Sequence, residues 1–201
     1  MSLLELSSDV GLVAVWLLSL NLALGLLLGL RYNPWKHWPH RRFNYFRIHN
    51  WTGYVALVLC VLHVLLLRAS PDAKFGWVNV FYPPTAPKQP TINTLGAVAI
   101  YLLIVVVVTS YYRVEIGRHR WKLIHFLTYG VAAFMFVHGL WSDQTLKDAP
   151  IDYLDAEKVS IEVCFLIIAV GTVLRVRHGL AARKRSRARD RARAASGRSA
   201  A

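Results

Sequence analysis

Four histidines carry the chemistry of this 201-residue chain. His49 and His63 are fourteen residues apart and His125 and His138 thirteen apart, each pair in or beside an apolar run. An ionisable side chain within such a run is rare and by default functional. At a helical rise of about 1.5 Å per residue, the first pair stands roughly 21 Å apart and the second roughly 19.5 Å. If both helices run in the same direction, first faces first: His49 with His125 at one depth, His63 with His138 at the other. Both depths fit a hydrocarbon core of about 30 Å. Two imidazoles on opposite faces of a flat macrocycle close a six-coordinate iron that passes electrons without binding substrate. The pattern therefore predicts two b haems stacked across a membrane, with these four histidines as iron ligands. Zinc fits poorly, because structural zinc sites gather four closely spaced ligands at one place.

Ligands at two depths need apolar helices to hold them. The chain is 55% hydrophobic, concentrated in runs at residues 11–30, 50–67, 94–112, 123–141 and 159–174. Each is near the roughly 20 residues that span a bilayer, and a span in lipid must satisfy its backbone polar groups internally, so the runs are helices. The expected fold is an all-α membrane protein, a bundle of about five transmembrane helices. Residues 1–178 form the haem-binding bundle and 179–201 a basic, disordered or transiently helical tail. The first run lacks a basic leader and a small-residue cleavage site, so it reads as a span rather than a cleaved signal.

The net charge of +13 invites a nucleic-acid reading, but its distribution points to topology. Arg31, Lys36, Arg41, Arg42 and Arg47 lie between the first two runs. Arg113, Arg118, Arg120 and Lys122 lie between the third and fourth, and the Arg-rich tail follows the fifth. The other connections carry Arg68, Lys74, Lys88, Lys147 and Lys158 with most of the acids: Asp143, Asp148, Asp152, Asp155 and Glu157. Basic segments stay cytoplasmic, which puts the N-terminus outside and the C-terminus in the cytoplasm of a bacterial-type inner membrane. The tail is then an anchor against anionic lipid, with no nucleic-acid role.

Smaller signals fit this frame. Trp35, Trp38, Trp51, Trp121 and Trp141 fall near span ends, as interfacial aromatics do. Cys60 and Cys164 lack metal-type spacing and read as packing residues. Segment 69–93, with four prolines between 83 and 90, is expected to fold over the outer end. Gly53 and Gly139, beside the histidines, make room for a porphyrin or simply for helix packing. Asn21, and Gly25 with Gly29, suit close contact within the bundle. His37, His40, His119 and His178 read as loop residues. The thirteen-residue spacing is awkward, because an ideal helix leaves His138 roughly 140° from the face of His125. A kink or unwinding near Gly130 is one remedy.

The stretch Arg47-Ile48-His49-Asn50-Trp51-Thr52-Gly53-Tyr54 leading to Leu62-His63 resembles the ferric reductase-like transmembrane domain. So does Arg120-Trp121-Lys122-Leu123-Ile124-His125 leading to Val137-His138-Gly139. The resemblance spans about residues 31–174 and takes in ferric reductases and NADPH oxidases. It implies two b haems held by the histidines as paired above, with electrons passing from a cytoplasmic flavoprotein or NAD(P)H reductase to an outer-face acceptor. Many members have six spans and a C-terminal flavin and nicotinamide domain. Here five spans are counted and the tail holds no Gly-rich dinucleotide fingerprint, so a separate donor is expected. Leu67 stands where the oxidases carry a further histidine. Haem propionates need cations: Arg42, Arg47, Arg118, Arg120 and Lys122 lie at the inner depth, Arg68 at the outer. Two alternatives remain open, a cytochrome b linked to a membrane quinol (with a flavin or quinone as the further cofactor) and a non-enzymatic scaffold within a larger complex.

Overall fold

A computed structural model describes residues 2–30, 44–143, 146 and 150–198, the side chains of 189 and 191–198 apart. Arg31, Trp35, Lys36, His37, Trp38, His40, Arg41, Arg42, Lys147 and Asp148 thus lie outside the described residues. Among those described, five helical stretches are long and apolar enough to cross a membrane: Leu3–Leu30, Tyr45–Ala69, Pro90–Tyr111, Arg118–Trp141 and Ala156–Ala188. The first three are α1, α2 and α4. The fourth is divided into α6 (Arg118–His125) and α7 (Thr128–Trp141), and the fifth begins α8 (Ala156–Arg198). Two short helices, α3 (Trp77–Phe81) and α5 (Arg113–Ile116), lie in connections. The spans start several residues earlier than the apolar runs because capping and propensity add turns that hydropathy does not register. The Asn44 side chain accepts the Arg47 amide at the start of α2, an N-cap, and Pro90 opens α4, where its missing N–H costs nothing.

The bundle is built from two antiparallel pairs, α1 against α2 and α4 against α6 and α7, with α8 against α1 and α7. Its core is aliphatic. Val15, Leu18 and Leu26 of α1 meet Ala56 of α2, Ala99, Leu103 and Val106 of α4, and Val131, Ala132, Met135 and Phe136 of α7. Ile161 and Ile168 close it from α8. The opposite stripe of α8, including Phe165, Leu166, Ile167 and Val170, is exposed, as a lipid-facing surface must be. Lys158 is buried and donates to the carbonyls of Gly139 (2.8 Å) and Ser142 (2.6 Å), closing the C-terminus of α7 with a cation, where the helix dipole favours one.

Segment 69–93 folds onto one end. Ala73, Phe75 and Ala86 are buried with Leu146 against Leu4 and Leu67, and Tyr101 of α4 donates to the Phe81 carbonyl (2.8 Å). At the other end gather Arg113, Arg118, Arg120, Lys122 and Arg175; this is the basic end. No break falls between 178 and 179. α8 continues through the Arg/Ala-rich segment to Arg198, both being good helix formers.

Candidate cofactor site

The four histidines meet in the pairs that their order requires. His49 and His125 face each other at the basic end, ring centroids 6.2 Å apart and planes crossed at 74°. His63 and His138 do so at the opposite end, 6.4 Å apart and crossed at 72°. Two metal–imidazole bonds of about 2 Å, with a ring radius of about 1.1 Å at each side, place such centroids roughly 6.2 Å apart. Both pairs therefore have the spacing of two rings with one metal between them. Among the described residues, no three His, Cys, Asp or Glu side chains converge on one point. A two-imidazole donor set suits a macrocycle that brings its own four in-plane nitrogens.

Hydrogen bonds fix which nitrogen is free in three of the four rings. Nδ1 of His63 bonds to the Ser7 carbonyl (2.7 Å), Nδ1 of His49 to the Asn21 carbonyl (3.0 Å) and Nδ1 of His138 to the Ile92 carbonyl (2.8 Å). A carbonyl only accepts, so these rings carry their proton on Nδ1 and offer the Nε2 lone pair, as a metal-ligating histidine does. Nδ1 of His125 instead meets the Ser110 hydroxyl at 3.3 Å.

Each of the first three rings reaches a helix carbonyl because the residue one turn further along has no side chain. A β-carbon on Gly11 would stand 2.9 Å from His63 Nδ1, one on Gly25 3.3 Å from His49 Cε1, and one on Gly96 2.9 Å from His138. Gly11, Gly25 and Gly96 follow Ser7, Asn21 and Ile92 by four residues, and Gly11 and Gly25 repeat the fourteen-residue spacing of the histidines they face. The α1–α2 contact is locked twice over at each level. Ser7 Oγ donates to the main-chain carbonyl of His63 (2.9 Å). The Asn21 amide donates to that of His49 and to Thr52 Oγ1 (2.8 Å).

Sequence reading missed these positions, apart from noting Asn21 and Gly25 as packing residues. The signal was present as a small residue repeating at fourteen on the helix that precedes each histidine helix. Gly53 and Gly139, the glycines expected to make room, face the Asn21 amide and Ile161 respectively. Both therefore serve helix packing, although Gly53 also lines the basic-end cavity. Gly29 faces the Arg175 guanidinium. The thirteen-residue spacing is accommodated at Phe126–Leu127 rather than at Gly130. There the amide of Leu127 bonds to Ile124 and that of Tyr129 to Phe126, i to i−3 bonds that wind the chain about 120° per residue instead of 100°. Overwinding turns His138 in the direction needed. The interruption also leaves α6 and α7 as two segments that need not share one axis.

A cavity surrounds each pair. The basic-end cavity, ≈ 460 Å³, is lined by His49 and His125 with Asn21, Tyr54, Ser110, Trp121, Tyr129 and the cations Arg113, Arg118, Lys122 and Arg175. The opposite-end cavity, ≈ 280 Å³, is lined by His63 and His138 and otherwise almost wholly by apolar groups, Cys60, Phe75 and Trp77 among them, with no charged side chain among the described residues. Leu18, Leu103 and Val131 line both and form the wall between them. Arg47 and Arg120 are exposed and line neither. Arg175, held by the Tyr129 hydroxyl (3.2 Å), and Arg113, over the Phe46 ring, are the cations that the sequence left unassigned. Trp121 also turns inward. Its indole donates to Ser110 Oγ (3.2 Å) and its ring lies 5.0 Å from that of His125. Arg68 is outside the opposite-end cavity, but its guanidinium lies 5.4 Å from the centroid of Trp77, a lining residue. Its buried Nε has no hydrogen-bond partner among the described residues.

These features fit a haem at each level: facing imidazoles, three of them with Nε2 left free by a carbonyl, a cavity around them, and an orphaned cationic donor or a cluster of cations beside it. A family model described as ferric reductase like transmembrane component matches residues 10–136, well over half the chain, including His49, His63 and His125 and stopping two residues short of His138. No curated protein and no solved structure matches. With five apolar helices around the paired histidines, the chain is a multi-pass membrane protein, and it belongs to the ferric reductase-like transmembrane family.

Proposed function

We propose that this chain is the membrane cytochrome subunit of an oxidoreductase, carrying electrons across the bilayer through two b haems. His49 and His125 hold one and His63 and His138 the other. The observation that carries this reading is the pair of facing imidazoles at two depths, 6.2 and 6.4 Å between centroids. Haem supplies a one-electron ferric/ferrous couple at each level. The chain's own residues do the rest. Main-chain carbonyls of Ser7, Asn21 and Ile92 keep three ligands in the Nε2-donor form and raise their basicity. The core aliphatics exclude water, and Leu18, Leu103 and Val131 separate the levels by one layer of side chains. Arg113, Arg118, Lys122 and Arg175 are placed to receive the propionates at the basic end, and Arg68 those at the opposite end. Arg47 and Arg120 are surface cations on the face that a donor approaches.

The arginine distribution orients the bundle with its basic end in the cytoplasm and its N-terminus outside, in a bacterial-type inner membrane. Electrons then enter from a cytoplasmic flavoprotein or NAD(P)H reductase and leave to an acceptor at the outer face. The test is a reduced-minus-oxidised optical spectrum of the purified protein with haem quantified per chain. Two b haems per chain is the expected result. Absence of a Soret band after expression with ample haem overturns the reading.

A further inference from the structure

Three histidines follow one rule. Nδ1–H goes to the carbonyl of residue i on the facing helix, and residue i+4 is glycine. His125 breaks it. The equivalent positions on α4, fourteen residues beyond Ile92 and Gly96, are Val106 and Ser110. Ser110 puts a β-carbon and a hydroxyl where the others have open space. The Thr109 hydroxyl donates to the Val105 carbonyl (2.6 Å), with the Val106 carbonyl a longer second contact (3.3 Å), and His125 Nδ1 meets Ser110 Oγ at 3.3 Å, longer than the other three bonds. The same oxygen already accepts the indole N–H of Trp121 (3.2 Å).

We propose that Ser110, with Trp121, makes His125 the least electron-rich of the four ligands and so raises the potential of the haem at the basic end. Ser110 is a positioning residue acting through His125, and the inference rests on the haem reading above. An N–H bonded to a strong acceptor makes the imidazole more basic, a better donor to ferric iron, and lowers the potential. A hydroxyl that shares its lone pairs with an indole is the weaker acceptor. The ligand it holds donates less, and the ferrous form gains.

The experiment is a spectroelectrochemical titration of full-length protein carrying S110G, S110T or W121F, each also made in an H63A background to isolate the basic-end haem. S110G restores the glycine of the rule and lets Nδ1 reach the Val106 carbonyl, so the potential of that haem falls while the other stays. S110T keeps a hydroxyl and keeps the wild-type potential. W121F frees the hydroxyl from the indole, and the same haem shifts down by less. Haem-replete S110G with neither potential moved, or with both moved together, overturns the role of Ser110. Should S110G fail to retain haem, W121F decides, and an unmoved potential there overturns the proposal. Wild-type protein without haem overturns the functional reading itself, so the two failures are distinguishable.

Discussion

The α1–α2 pair and the α4–α6/α7 pair perform one task by different means. In the first, α2 is an uninterrupted helix, the histidines are fourteen apart, and each is held at two points: the ring by a carbonyl, the histidine's own carbonyl by Ser7 or Asn21. In the second, the histidine helix is interrupted, the spacing is thirteen, and each ring has one bond from α4. The difference shows what the spacing answers to. Both facing helices offer small residues at intervals of fourteen, Gly11 with Gly25 and Gly96 with Ser110. A histidine helix one residue short reaches the same two levels through a tightened turn. The α1–α2 half is the stiffer template and the α4–α7 half the adaptable one.

Removing a ligand has the largest expected effect. His63→Ala or His138→Ala takes haem from two per chain to one by loss of the opposite-end haem, and His49→Ala or His125→Ala does the same at the basic end. Haem quantification and the difference spectrum read this directly. An unchanged haem-to-protein ratio in all four variants would remove the ligand assignment and the comparison with it. Gly96→Val comes next. Its β-carbon alone would stand 2.9 Å from the His138 ring, in a core where misfit side chains cost about 1–3 kcal/mol, so the opposite-end haem is lost while helical circular dichroism is retained. Gly139→Ala meets the Ile161 δ-methyl at 3.3 Å, with Ile161 and Val15 γ-methyls at ordinary contact distance, and keeps both haems. Equal behaviour of the two would mean that helix crowding, rather than access to the carbonyl, decides the outcome.

Ser7→Ala and Asn21→Ala probe the double lock at smaller cost. Each leaves the main-chain acceptor of the ring in place and removes the return bond, together with the Ser7 Oγ contact to His63 Nδ1 (3.1 Å) in the first case and the bond to Thr52 Oγ1 in the second, each worth about 1 kcal/mol or less between membrane helices. Haem should dissociate at a lower temperature from the level concerned, His63 for Ser7 and His49 for Asn21, with both sites still filled at rest. Ser7→Thr retains the donor and the wild-type midpoint. If neither substitution alters haem retention, the α1–α2 half owes its stiffness to packing alone.

The spans and the pairing of histidine levels were legible because both are written in side chains: long apolar runs, and titratable groups where lipid forbids them. The cradle was not, because its working atoms are main-chain carbonyls. Nothing about Ile92 as an apolar side chain announces an acceptor for His138, and a glycine contributes by what it lacks. The tightened turn at Phe126–Leu127 contains neither glycine nor proline, so the nearest glycine, Gly130, drew attention although it packs against Leu102. Trp121 has the position of an interfacial aromatic and the contacts of a site residue. Arg47 and Arg120 sit at the right depth in the sequence, but depth does not say which way a side chain turns, and both face outward.

The two cavities give the same comparison an electrostatic edge. The basic end has four lining cations, so the loss of any one is shared among the rest and screened by solvent. At the opposite end, among the described residues, no charged side chain lines the cavity, and Arg68, with its Nε buried and unpartnered, is stacked on its wall. A nearby positive charge favours the ferrous state, so Arg68→Gln should lower the potential of the opposite-end haem, by roughly tens of millivolts for one charge at an effective dielectric near 20. The basic-end haem, roughly 21 Å away along α2, should not move. Arg175→Gln should shift the basic-end haem in the same direction by less, despite lining its cavity. Redox titration of both variants orders the two effects. If Arg175→Gln gave the larger shift, proximity would outweigh screening. If Arg68→Gln gave none, Arg68 would be a cation stacked on Trp77 that no propionate meets, and the opposite end would hold its haem by imidazole and apolar contact alone.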